Sequence, residues 1–150
     1  MAAVTDKDLG FRRIITNLAG FDGAQIHVGV LRNAGKEKDG TDLVDVAAYN
    51  EYGTKHIPSR PFLRIASDEK GDSWLDLAEE GITAVTAGRM NKHQVLKLVG
   101  VQAKADVRKV FGDRSKLEAN KASTIRRKGS SAPLIDSGTL RRAVDYRLEE

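Results

Sequence analysis

Hydrophobic positions change period several times along this 150-residue chain, and each change predicts an element. Phe11, Ile14, Ile15 and Leu18 recur at helical spacing behind Thr5 and Asp8, a pair that suits a helix-start box; Gly20 and Gly23 end that helix. From Gln25 to Leu31 the period drops to two, with Ile26, Val28 and Val30 on one face of a strand. Residues 33–40 hold no apolar anchor and read as a polar turn or flexible loop. Thr41 can cap a short helix carrying Val44, Ala47, Ala48 and Tyr52, stopped at Gly53. Pro58 and Pro61 make the next segment an extended connector.

Asp72 or Ser73 can start a further helix bearing Leu75, Ala78, Ile82 and Val85, closed by Gly88. Asn91 and Gln94 open the longest helix, with Leu96, Val99, Ala103, Val107 and Val110 as its stripe. Gly100 inside that helix costs roughly 1 kcal/mol against alanine, which predicts either a close approach or a weaker helix. From about 112 to 131 the pattern lapses into a basic loop or arm interrupted only by Leu117 and Ile125. Past Pro133, Leu140 and Val144 suit a helix whereas Val144, Tyr146 and Leu148 alternate; a helical turn followed by a strand satisfies both. The expected fold is α+β: one domain over residues 1–150, a small mixed or antiparallel sheet packed with three to four helices, and polar loop arms. So small a sheet has unpaired edges, which a neighbouring subunit commonly covers.

Composition narrows the function classes. A chain of this length buries about 68–70% of its unfolded surface, enough for independent folding. The formal net charge is +4 and the pI about 9.4, which permits nucleic-acid or acidic partners without demanding them. There are no cysteines, which excludes disulfides and Cys-based zinc sites. No apolar run follows the N-terminal residues and none approaches a membrane span, so neither a signal peptide nor a membrane segment is expected, and the chain reads as soluble.

Patterns for catalysis are missing. His27, His56 and His93 have no His or carboxylate at metal-ligand spacing. Glu79-Glu80 and Glu149-Glu150 are sequence neighbours that point apart on a helix, and read as solvated charge rather than acid/base pairs. The serines and glycines fit no nucleophile elbow, dinucleotide fingerprint or P-loop. The expectation is a protein that is not an enzyme, with no catalytic, cofactor-binding or metal-binding residue.

The tract with Lys121, Arg126, Arg127 and Lys128 can contact DNA phosphates or an acidic partner surface. No aromatic is interleaved, which argues against base stacking. Residues 137–144, with Arg141 and Arg142, superficially look like a recognition helix. They follow a basic tract where a partner helix belongs, and leave no room for a wing. A small DNA-binding regulatory or architectural protein is the alternative reading.

The most specific constellation is Tyr49-Asn50-Glu51-Tyr52-Gly53-Thr54 followed by Ile57-Pro58-Ser59-Arg60-Pro61-Phe62-Leu63-Arg64. It reads as a short helix stopped at glycine, then a proline-stiffened strand presenting Phe62. Chemistry alone leaves two roles for Phe62, an exposed interface anchor or a plug in the core. The segment resembles the N-E-(F/Y)-G-T…I-P-(A/S)-R-P-F signature of tailed-phage virion-morphogenesis proteins. Pro133-Leu134-Ile135-Asp136-Ser137-Gly138-Thr139-Leu140-Arg141 is similar to their P-L-(I/V)-D-(S/T)-G-x-L-R element. The resemblance covers roughly residues 9 to 148. It implies a neck, head–tail connector or tail-completion subunit, assembled in the host cytoplasm into the virion. Its implied partners are itself as a ring, neighbouring neck and tail proteins, and nonspecifically the DNA in the channel. On that basis Tyr49, Asn50, Tyr52, Ile57, Arg60, Phe62 and Arg64 are the expected subunit-interface residues.

Overall fold

The computed structural model describes residues 11–149; the expected helix-start box at Thr5 and Asp8 lies outside them. The described elements are α1 (Phe11–Ala19), β1 (Gln25–Val30), α2 (Leu43–Tyr52), α3 (Phe62–Thr86), α4 (Lys92–Val110), α5 (Ala122–Lys128), α6 (Thr139–Ala143) and β2 (Val144–Glu149). The α+β class stands. The helix number exceeds the expected three to four because the basic tract itself forms α5 and the turn after Gly138 forms α6.

β1 and β2 pair antiparallel, Gln25 opposite Glu149 and Val30 opposite Val144. One face of this sheet packs on α4, and α3 runs against α4. The capping box read at Asn91 is present: Gln94 N–H donates to Asn91 Oδ1 at 2.9 Å and Asn91 N–H to Gln94 Oε1 at 2.9 Å. The α4 stripe Leu96, Val99, Ala103, Val107 and Val110 is buried throughout. The cap of α2 falls one residue beyond the expected Thr41, where Asp42 accepts from Val44 N–H at 2.9 Å.

The connector after Pro61 departs from expectation. Instead of a strand, Phe62 begins α3, which is the longest helix at 25 residues and runs unbroken past Asp72 and Ser73. Pro61 stands at the N-cap, just outside the helix, where its missing N–H interrupts no helical hydrogen bond. Two glycines serve close packing. A Cβ on Gly81 of α3 would stand 2.6 Å from a Val95 methyl, and one on Gly100 of α4 would stand 2.5 Å from the Tyr146 ring. Gly100 therefore marks an approach of sheet to helix, not a weak turn.

The core gathers Leu43, Ala47, Phe62, Ala66, Val107 and Phe111, joined by Leu140 and Val144. Phe62 is fully buried, its ring 4.7 Å from that of Phe111. Leu75, expected on the apolar face of its helix, is instead 65% exposed.

Asp106 ties α3 to α4 from inside. Its carboxylate accepts from Trp74 Nε1, Gln102 Nε2 and Lys109 Nζ, each at 3.0 Å. Burial pushes this carboxyl up, yet the three hydrogen bonds and the Lys109 charge outweigh it and hold it below the ordinary 3.8. A folded-state value below the unfolded one stabilises the fold above the unfolded value, and that gain is lost as pH falls through the folded value. An Asp106→Asn variant should therefore lose less stability between neutral and strongly acid pH than the parent chain. Thermal melts across that range, followed by circular dichroism, check it; equal losses would refute the assignment.

Candidate interface cleft

The first motif builds a brace around the start of α3. Glu51, on the last turn of α2, is buried, and its carboxylate accepts from Leu63 N–H at 2.9 Å and Arg64 N–H at 3.1 Å. Pro61, the N-cap, offers no side-chain bond, so an acid twelve residues upstream satisfies the helix's open amides. Thr54 Oγ1 accepts from His56 N–H and Ile57 N–H, Thr54 N–H donates to Ile57 C=O, and Ser59 Oγ donates back to Glu51 C=O at 2.8 Å. These bonds fold the connector into a tight loop.

Arg60 is buried too. Its Nε donates to Glu118 C=O at 2.8 Å and its Nη2 to Ala119 C=O at 3.1 Å, which pins the start of the basic tract beneath the first motif. Asn120 Nδ2 donates to Ala132 C=O at 3.2 Å, and Gly112 N–H to Pro133 C=O at 3.0 Å, so the tract is drawn toward the second motif. The expected arm at 112–131 is thus a hydrogen-bonded loop, with Leu117 buried, followed by the short helix α5, which buries no residue.

Between the two motifs lies an open cleft of about 620 Å³. Asn50, Ile57 and Arg60 line it from the first block, Arg127 and Lys128 from α5, and Leu134 with Asp136–Leu140 from the second. Burial depresses the Lys128 ammonium below the usual lysine range; Asp136 opposes this, while the charges of Arg60 and Arg127 add to it. The cleft's charged lining is mixed, Lys38, Arg60, Arg127 and Lys128 against Glu37, Asp39 and Asp136, with two of its cations side by side on α5.

The expected interface residues divide. Asn50, Ile57 and Arg60 meet at the cleft. Tyr52 and Tyr49 stand outward, 76% and 45% exposed, and Arg64 is exposed on the first turn of α3. Phe62 cannot anchor a partner because its side chain is core; of its two roles, the plug is the one found. Among the expected contact residues, Lys121, Arg126 and Arg127 are exposed and Lys128 is half-buried. Glu51 and Asp106 were absent from the sequence expectation, since each acts on groups far away in sequence.

Other side chains are committed internally. Arg142 Nη1 donates to Ser137 C=O at 3.0 Å, Arg141 Nε to Arg108 C=O at 3.1 Å, and Arg108 Nη2 to the carbonyls of Arg142 and Val144. His27 lies half-buried 3.4 Å from Glu149, while His56 and His93 are exposed. Among the described residues no group of three His, Asp or Glu side chains could hold a metal, and no helix is long and apolar enough to cross a membrane. No family model, curated protein or solved structure matches the chain.

Proposed function

We propose that this chain is a structural protein of a tailed-phage virion, a neck subunit that joins head to tail. In this reading it acts as a tail-completion or head–tail connector protein, forms a homo-oligomeric ring around the DNA channel, and is not an enzyme. Its partners are further copies of itself, neighbouring neck and tail proteins and, nonspecifically, the DNA passing through.

The observation that carries the reading is the meeting of the two motif blocks. Far apart in sequence, they wall one cleft, and Glu51 and Arg60 brace the first block with bonds to backbone groups. Residues so arranged preserve a rigid surface rather than a reaction centre. Deleting the gene from its phage should leave DNA-filled heads and finished tails unjoined, with the protein restored to particles on complementation. Infectious particles from the deletion strain would sink the proposal.

The alternative, a small DNA-binding regulatory protein, draws on Arg126 and Arg127, which make no ion pair among the described residues. Against it, α6 has only five residues, and Arg141 and Arg142 are spent on backbone carbonyls of the fold.

A further inference from the structure

Two surfaces on different elements of this chain carry charges that no described ion pair neutralises: the acids of the outer stripe of α3 and the Arg127–Lys128 wall of the cleft, where Lys128 also donates to Ala132 C=O at 3.4 Å. The first is the outer stripe of α3. Helical residues turn by about 100° each, so Asp68, Asp72, Leu75 and Glu79 fall within about 60° of one another over roughly 16 Å of axis. That stripe points away from the buried Phe62, Ala66 and Val85, and Asp76 flanks it. α3 carries six acidic residues against two basic ones, a net of −4. Only Glu69 among the six acids is ion-paired within the described residues, to Lys116. Leu75 stands in the middle of the stripe, 65% exposed.

The second surface is the cleft. Its charged lining is Lys38, Arg60, Arg127 and Lys128 against Glu37, Asp39 and Asp136; Arg127 and Lys128 stand together on the α5 wall, neither at ion-pair distance from a described carboxylate, and Ile57 and Leu134 supply apolar lining. Along the α5 wall sign and texture match: acids around a leucine on one surface, Arg127 and Lys128 with Ile57 and Leu134 on the other.

We propose that the cleft receives the α3 stripe of a second copy of this chain, with Leu75 against Ile57 and Leu134 and with Asp72 and Asp76 paired to Arg127 and Lys128. Each copy offers both surfaces and uses them on different neighbours, so the contact is head-to-tail and closes into a ring when the rotation allows. The inference deepens the ring-subunit reading and rests on it only for self-association. Duplex DNA fits the cleft less well. Neither the apolar lining nor Leu75 would have a role with it.

The test uses the full chain and two double variants, Asp72→Lys/Asp76→Lys and Arg127→Glu/Lys128→Glu, all changes on side chains outside the core. Sedimentation velocity should find the parent chain associating, and each variant alone weakened by about tenfold or more, because like charges then face each other. An equimolar mixture of the two should associate again, since the reversed stripe of one meets the reversed cleft of the other. A Leu75→Lys variant should also weaken association, and it leaves the cleft untouched should either double variant misfold. A parent chain that stays monomeric, variants that associate like the parent, or a mixture with no rescue would each overturn the contact. So would an Arg127→Glu/Lys128→Glu variant that keeps its association and loses only duplex retention, which would make the cleft a DNA site. A monomeric chain that is nevertheless incorporated into particles would remove this contact and leave the virion reading standing.

Discussion

Replacing Phe62 with alanine should cost about 3–5 kcal/mol of folding stability, the range for emptying a buried aromatic site. Phe62 is fully buried, packs its ring on Phe111 and sits where α3 enters the core beside Ala47 and Ala66. Against a total of about 5–15 kcal/mol for a domain, that loss is large enough to leave a substantial unfolded fraction near body temperature. The melting midpoint should fall by on the order of 10 °C. Phe62→Leu refills most of the space and should lose well under half as much. Denaturant titrations of the three chains check this; an alanine variant within about 1 kcal/mol of the parent would show that the ring is not the core's anchor. Assembly defects in Phe62→Ala particles would then report unfolding and not a lost subunit contact.

Glu51→Ala should rank second, at about 2–3 kcal/mol. A carboxylate accepting from backbone amides gives charge-assisted bonds, and its removal strands the donors in a half-buried place. The first amides of α3 are fully assigned: Phe62 N–H donates to Arg60 C=O, those of Leu63 and Arg64 donate to Glu51, and Ile65 N–H donates to Pro61 C=O. No other side chain near the helix start replaces the lost acceptor, because Pro61 has none to offer. The negative charge also faces the positive end of a 25-residue helix dipole. Glu51→Gln keeps one acceptor oxygen and should fall between parent and alanine. Equilibrium unfolding with unchanged denaturant dependence is the measure, and an alanine variant within about 0.5 kcal/mol of the parent would refute the brace.

These two residues mark where sequence reading succeeded and stopped. Local signals were legible. The Asn91–Gln94 cap, the α4 stripe and the alternation in β1 each depend on neighbours within a turn or a strand, and the switch from α6 to β2 followed from two overlapping periods. Glu51 was not legible as a cap because its amides belong to another helix. Pro58 and Pro61 suggested extension, and the start of α3 at Phe62 is decided by burial of that ring and by the distant carboxylate. α5 escaped notice for a different reason: it buries no residue, so no apolar stripe announces it. The acids of α3 were visible in sequence, but joining Asp68 to the stripe needed the helix to begin well ahead of Gly71.

The small gap that Gly100 leaves in α4 has a consequence for how the two strands find each other. β2 has one partner strand, and backbone ladder bonds alone would tolerate a shifted alignment. The Tyr146 ring fits the space where a Cβ on residue 100 would stand, with Val28 across from it on β1. A shift by one residue would turn Asp145 or Arg147 toward the helix, and a shift by two would bring Val144 or Leu148, neither of which has a flat ring for so shallow a gap. One missing methyl group on a helix thus acts as a gauge for the ribbon laid over it.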